Sequence, residues 1–351
     1  MMRLLLALLL TLTHANAQGF AGLGTAADER FAVPQPNPTF TFPTDHGPHP
    51  DYRIEWWYLT ATLQGPDGTE YGVQWTLFRS ALAPDTSDTW TAPQLFMGHA
   101  GLTTPTAHFH AERLARGGTG QAGVTSDPFR AHIDDWEMAP TAPDGDAYDA
   151  LHLTARGPDF AYDLDLTAEG PLIFHGQDGY SVKSAEGQAS YYYSQPFYTA
   201  TGTLSLPDGD ISVTGTAWLD REWSSQPLSE DQLGWDWFSL QFEDGARMMA
   251  FALRSDAGPA FTSATWINPD GTTQSYGDGH VYLTPLATSE VADRTIPTEW
   301  QITFPDRDID IRTAPVNAQS WMDTSFPYWE GPITFTGTHA GRGYLEMTGY
   351  E

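Results

Sequence analysis

From Arg53 onward, aromatic and β-branched residues come in short runs broken by turn signals, and no stretch sustains a long helical period. Pro66-Asp67-Gly68, Pro207-Asp208-Gly209, Asp244-Gly245 and Asn268-Pro269-Asp270-Gly271 each offer a glycine for the positive φ of a turn between paired strands. The pattern predicts an all-β chain of antiparallel strands, of the barrel or sandwich kind. Alternation assigns faces, because neighbours along a strand point to opposite sides. Glu55, Trp57 and Leu59 are expected on one face, with Trp56 and Tyr58 on the other. Trp218, Asp220 and Glu222 share a face, opposite Leu219 and Arg221, and Tyr191 and Tyr193 point alike.

Two stretches echo one another. Trp57-Tyr58-Leu59 leads through Asp67-Gly68 to Trp75-Thr76-Leu77-Phe78-Arg79, and Trp237-Phe238-Ser239-Leu240 leads through Asp244-Gly245 to Phe251-Ala252-Leu253-Arg254. Read as a weak internal repeat, this implies two similar barrels in tandem; two ordinary hairpins of convergent composition give the same pattern. The strand pattern breaks at Ser224 to Asp231, so one β domain is expected over residues 51–223 and a second over 224–351. Residues 18–50, rich in Pro, Gly and small side chains, read as an arm leading into the first.

Composition narrows the setting. Arg3, the apolar run Leu4 to Leu10 and Ala15-Asn16-Ala17 have the form of a secretory leader over residues 1–17. The run is too short to cross a bilayer, so an exported protein, periplasmic or secreted and cut after Ala17, is expected, with no membrane insertion. The chain has no Cys, which excludes disulfides and thiolate zinc sites. Its formal charge of −29, with Lys183 the single lysine, excludes nucleic acid and anionic membrane surfaces as partners.

Candidate chemistry gathers in Trp218 to Phe238, WLDREWSSQPLSEDQLGWDWF. It sets Asp220 among Trp218, Trp223, Trp235 and Trp237 and beside Arg221, Glu222 and Asp236. Several rings around one acid suggest a pocket for an apolar or cationic species. Asp220 then has two readings, a proton donor or an ionised brace held by backbone or Arg. Glu55, beside Trp57, is either a second acid or base or the partner of an Arg such as Arg79. His108 and His110 have a metal-ligand spacing, with His99 on the preceding strand, but exposed polar residues on a half-buried strand look the same, and no metal is assigned. No G-x-S-x-G elbow and no phosphate-cradling glycine loop occurs, so no cofactor is expected.

The runs Glu55-Trp56-Trp57-Tyr58, Trp218-Leu219-Asp220-Arg221-Glu222-Trp223 and Gly234-Trp235-Asp236-Trp237-Phe238 together resemble the AttH/CrtC-type family, lipocalin-like predicted secreted hydrolases that include the carotenoid 1,2-hydratases. The resemblance implies two tandem lipocalin-like antiparallel β-barrels. It also implies that Asp220 is the proton donor, with Tyr191 and Tyr193 where that branch keeps polar and aromatic partners, and His99 a polar partner near the pocket. The hydratase pattern has a His and a Trp at that pair and a Tyr two residues before the acid, where this chain has Tyr191, Tyr193 and Trp218. The expected site therefore comprises Asp220, Glu55 and His99 as chemical groups, and Trp57, Tyr191, Tyr193, Trp218, Trp223, Trp235 and Trp237 as the binding surface. The expected function is acid-assisted hydration or lyase chemistry on an isoprenoid or lipid-like molecule. A non-catalytic carrier of such ligands and a metal-assisted hydrolase using His108 and His110 are the alternatives.

Overall fold

A computed structural model describes residues 30–84, 89–142, 145–226, 228–229 and 231–350; the leader expected over residues 1–17 lies outside them. The first thirteen strands are β1 (Ile54–Gln64), β2 (Glu70–Ala81), β3 (Gln94–Thr103), β4 (His108–Arg116), β5 (Ala122–Ser126), β6 (Phe129–Ile133), β7 (Trp136–Pro140), β8 (Ala150–Arg156), β9 (Ala161–Ala168), β10 (Ile173–Phe174), β11 (Tyr180–Val182), β12 (Ala189–Leu206) and β13 (Gly209–Ser224). The other ten are β14 (Gln232–Phe242), β15 (Arg247–Ser255), β16 (Phe261–Ile267), β17 (Thr273–Tyr276), β18 (Tyr282–Val291), β19 (Arg294–Phe304), β20 (Ile309–Pro315), β21 (Trp321–Met322), β22 (Tyr328–Gly337) and β23 (Gly341–Thr348). The fold is all-β, as predicted. One antiparallel sheet runs β4-β3-β2-β1-β13-β12-β9-β8-β7-β6-β5, carries β10 and β11 on β12, and curls into a nearly closed barrel. The other runs β17-β16-β15-β14-β23-β22-β20-β19-β18, with β21 on β22, and forms a half-barrel.

The hairpin signals fall where the strands reverse. Gly68 (φ 84°) and Gly245 (φ 89°) take the left-handed conformation between β1 and β2 and between β14 and β15, a region that costs glycine no Cβ clash. The echoed segments are equivalent in topology: in each sheet the first strand pairs with the second on one side and with the last on the other. The motif alignment is one residue out in facing, however. Trp57 points into the first barrel's core, whereas Trp237 points out of the half-barrel and Phe238 fills its core.

Three apolar clusters hold the molecule together. Trp57, Trp75, Trp136 and Tyr162 are central to the barrel interior, and Phe238, Trp300 and Trp329 to the half-barrel interior. The third cluster, with Tyr58, Tyr192, Trp218, Trp237, Phe251 and Tyr344, joins the outer faces of the two sheets. Burial at about 25 cal/mol per Å² makes such a seam a strong association. Close approach is permitted at Gly72, where an added Cβ would lie 2.5 Å from Pro332 of β22. The described part of the arm caps the barrel, with Phe40 4.9 Å from Phe174 and His46 stacked at 3.8 Å on Tyr148.

Candidate functional site

Between the two sheets lies a cleft of about 670 Å³, the open solvent at its mouth included. Even-numbered residues of β1 and β13 point into it, because the odd-numbered ones fill the barrel core. Its apolar walls are Trp56 and Phe78 from the barrel and Trp235, Trp237, Phe251 and Leu253 from the half-barrel. Its polar groups are Asp220, Glu222, Glu346, Lys183, Tyr58 and Tyr192.

Asp220 is 2% exposed. Its Oδ1 accepts from Trp218 Nε1 at 2.6 Å and from the Ser194 hydroxyl, and its Oδ2 accepts from the Tyr192 hydroxyl at 2.6 Å. Register explains the set: Ser194 pairs directly with Asp220, and Tyr192 with Glu222, across β12 and β13. Behind them, His175 Nε2 lies 2.6 Å from Ser194 Oγ and Nδ1 lies 2.9 Å from Thr265 Oγ1 of β16. Trp237 Nε1 donates to the Tyr192 oxygen at 3.1 Å. Loss of water around the carboxyl outweighs the donors, which favour the ion, and Glu222 adds repulsion, so Asp220 is pushed up to about 7. Burial pushes His175 down to about 3, with Lys183 adding to the effect, so its ring is neutral at pH 7.

The indoles are fixed donors, but the Ser194 and Tyr192 hydroxyls swivel. When Asp220 is ionised, both donate to it; when it is protonated, Tyr192 can accept its proton and turn its own toward the cleft. The network therefore accommodates both states of the acid, as a group that delivers and recovers a proton requires.

Other ionisable groups flank the acid. Lys183 Nζ is 2.8 Å from Glu222 Oε1 and stands over the Phe251 ring at 4.5 Å. Opposite, Trp235 Nε1 donates at 2.6 Å to Glu346, whose carboxyl burial pushes up to about 7. Tyr58, the cross-strand partner of Asp220, donates to Glu330, which burial and the neighbouring Glu346 raise well above the ordinary range.

The model of the AttH-like family matches residues 33–350. The chain belongs to the AttH-like family. An AttH protein from Nitrosomonas europaea is 33% identical over 92% of this chain and 100% of its own, with a TM-score of 0.80. Kievitone hydratase from Nectria haematococca is similar in fold, at 14% identity and TM-score 0.66 over 95% of each chain. So is CghA bound to Sch210972, at 11% identity and TM-score 0.56 over 93% of this chain and 97% of that one. No curated protein matches the chain.

In this AttH-like chain, the predicted residues divide between two faces of one sheet. Asp220, Trp235 and Trp237 line the cleft, and Trp218 donates to Asp220 from the packed seam without lining it. Tyr191, Tyr193, Trp57, Trp223 and Glu55 instead point to the barrel side, and none of them lines the cleft. Tyr193 bonds His46 Nδ1 at 2.8 Å, Tyr191 bonds the backbone N–H of Gln35 at 2.8 Å, and Trp223 stacks at 3.8 Å on His49. Tyr192 and Ser194 take the positions expected of their neighbours. Glu55 is ion-paired with both Arg79 and Arg221, and these hold its carboxyl well below the ordinary range despite full burial. It is a brace, not a second acid. Arg221 is thereby turned away from Asp220, and no guanidinium among the described residues bonds that acid.

His99 is buried outside the cleft lining, 3.0 Å from the Tyr328 hydroxyl and 3.1 Å from Glu112. His108 and His110 stack with ring centres 6.0 Å apart, and His108 contacts Met322 Sδ at 3.3 Å. Among the described residues no group of three or more His, Asp or Glu gathers as a metal site. Sequence reasoning missed Tyr192, Ser194, His175, Lys183, Glu330 and Glu346. An aromatic residue two positions before an acid occurs at Trp218/Asp220, Tyr328/Glu330 and Tyr344/Glu346, where each acid faces the seam, but also at Phe242/Asp244, Tyr276/Asp278, Phe304/Asp306 and Trp321/Asp323, so the spacing alone does not single out the two glutamates.

Proposed function

We propose that the cleft takes a hydrophobic small molecule, isoprenoid or lipid-like, and that Asp220 protonates an isolated C=C bond of it. The carbocation so formed is steadied by the ring faces of Tyr192, Trp237 and Phe251, and water captures it, giving hydration; the reverse sequence is the lyase reaction. The observation that carries the reading is a carboxyl, pushed up to about 7, buried beside an aromatic cleft with no guanidinium among the described residues bonded to it. An acid with that value is partly protonated at neutral pH and still a competent donor. That one fold neighbour is named a hydratase is consistent with this class of reaction. The leader-like residues 1–17 further lead us to place the protein outside the cytoplasm.

A second reading is favoured by the donors around Asp220: Ser194, Tyr192 and Trp218 satisfy an ionised carboxylate, as a passive carrier would need. Incubation with a panel of prenylated phenols, acyclic polyenes and unsaturated fatty acids, followed by mass spectrometry for the gain of one water, separates the two. Conversion by the native protein, lost in Asp220→Asn while binding persists, supports hydration. Binding without conversion of any panel member leaves the carrier.

A further inference from the structure

Glu330 and Glu346 are direct cross-strand partners on β22 and β23, a placement in which like charges repel. Glu330 is 1% exposed, and its Oε2 has no hydrogen-bond partner among the described residues. Glu346 is half-buried and opens on the cleft. Lys183, the cleft's cation, is already engaged by Glu222. The groups facing the pair are Tyr58 from β1, Trp235 from β14, Tyr328 and Tyr344 beside them, and Asp220 and Glu222 across the cleft. No cation is among them, so the arrangement favours a proton held on Glu330, with Glu346, raised to about 7, the partner that ionises first and accepts the Trp235 N–H.

From Glu330 a line of polar groups leads outward. Tyr328 stands two residues before Glu330 on the same face of β22 and interacts with its carboxyl; its hydroxyl accepts from Gln74 Nε2 at 3.3 Å and lies 3.0 Å from His99 Nδ1, and His99 Nε2 lies 3.1 Å from Glu112 Oε1. The Glu112 side chain is 22% exposed, and its carboxyl is held down to about 2 by the His99 and Ser325 hydrogen bonds despite partial burial. An ionised Glu112 requires the proton of His99 on Nε2, which leaves Nδ1 to accept from Tyr328. The donors of Tyr328 and His99 then both point toward solvent, and a protonated Glu330 that turns its hydroxyl to Tyr328 completes the line.

We propose that Glu346 and Glu330 form a second acid–base centre across the cleft from Asp220, which takes the proton from the attacking water and exports it through Tyr328, His99 and Glu112. The inference rests on the hydration reading. Asp220 gives its proton to one alkene carbon as the π bond breaks, and the water oxygen bonds the other carbon. The proton that this oxygen sheds passes to Glu346. One water has then been added and one proton has moved from Asp220 to the pair; the pair releases it outward while Asp220 reloads from solvent.

The test has two arms. In the first, protein labelled with 13C at the glutamate carboxyls is titrated by NMR, with Glu330→Gln and Glu346→Gln giving the assignments. The expected result is that one carboxyl of the pair titrates near 7 while the other stays neutral above that, and that removing either partner lowers the titration of the other. Independent titration of both in the ordinary range overturns the pair, whatever the panel shows. In the second arm, on any panel member that the native protein converts, Glu346→Gln should lower kcat about 100-fold or more with KM little changed. Tyr328→Phe should make turnover depend on buffer concentration, as a small diffusible base replaces the missing path. An unchanged kcat in Glu346→Gln overturns its role as base, and no buffer dependence in Tyr328→Phe overturns the path. A coupled titration without conversion of any panel member overturns the hydration reading but supports the proton-sharing pair.

Discussion

Replacing Asp220 by Asn tests whether the cleft withholds water from its acid. The carboxyl rises from an ordinary 3.8 to about 7 on folding. Below pH 4 it is protonated in both folded and unfolded chains, so it contributes no pH dependence. As pH rises further the unfolded chain ionises first, so stability falls between about 4 and 7 and levels off above. The rise from 3.8 to about 7, at about 1.4 kcal/mol for each tenfold change in proton affinity, makes the deficit about 4 kcal/mol. Asn keeps an oxygen for Trp218 and Ser194 and offers N–H to the Tyr192 oxygen, so the variant forfeits about one hydrogen bond, roughly 1 kcal/mol. Asp220→Asn is therefore expected to be about 3 kcal/mol more stable than the native protein at pH 8, and slightly less stable at pH 4. Urea denaturation at several pH values measures the difference between the two proteins. That difference cancels most of the contributions of Glu346 and Glu330, which have the same sign in both proteins; the part of the Glu346 shift that the Asp220 charge causes is lost in the variant and adds to the difference. Parallel stability curves would refute the reasoning, because they would mean that Asp220 titrates alike folded and unfolded.

Other outcomes follow from the same contacts. Glu55→Gln leaves Arg79 and Arg221 without their shared carboxylate in a dry interior, and should cost about 3–5 kcal/mol in denaturation experiments. Because the folded carboxyl of Glu55 is depressed, its contribution is present above the unfolded value of 4.5 and is lost as pH falls through the folded one; the native protein should destabilise steeply in strong acid, and the variant less so. Leu253→Trp adds a ring to the half-barrel wall of the cleft without touching the Asp220 network, and should lower the affinity of a bound polyene about tenfold or more by fluorescence titration. Mass spectrometry of protein recovered from the native host should find Gln18 as the first residue if residues 1–17 are a cleaved leader.

Much of the architecture was legible because it rests on local chemistry. Turn glycines at Gly68 and Gly245 sit where the backbone needs positive φ, and the alternation that put Trp218, Asp220 and Glu222 on one face follows from the pleat alone. The brace at Glu55 was legible only as one of two readings, since its second guanidinium, Arg221, comes from a strand far away in sequence. Glu330 and Glu346 were hidden because their importance depends on a sheet-to-sheet seam. No run of residues within either half encodes that seam, and the aromatic-x-acid spacing of these glutamates recurs at turn acids such as Asp244 and Asp278.

The exchange of Tyr191 and Tyr193 for Tyr192 and Ser194 has a definite cause. Counting from the hairpin turn, Leu206 pairs with Gly209 and Tyr198 with Ala217. Continued unbroken, that register would set Gln195 opposite Asp220 and Tyr193 opposite Glu222, so that both odd-numbered tyrosines shared the acid's face. The strand instead carries a bulge between Gln195 and Tyr198, after which Gln195 pairs with Leu219 and Ser194 with Asp220. One extra residue reverses which parity faces the cleft. It turns Tyr193 toward the barrel and its partner His46, and brings Tyr192 to the carboxyl. Pro196 lies inside this bulge, and proline in the middle of a paired strand is confined to such irregularities. A single residue without an N–H thus decides which hydroxyls surround the acid. The chemistry proposed for Asp220 depends on that parity, because Ser194 and Tyr192 are the swivelling groups that let the carboxyl hold a proton or give it up.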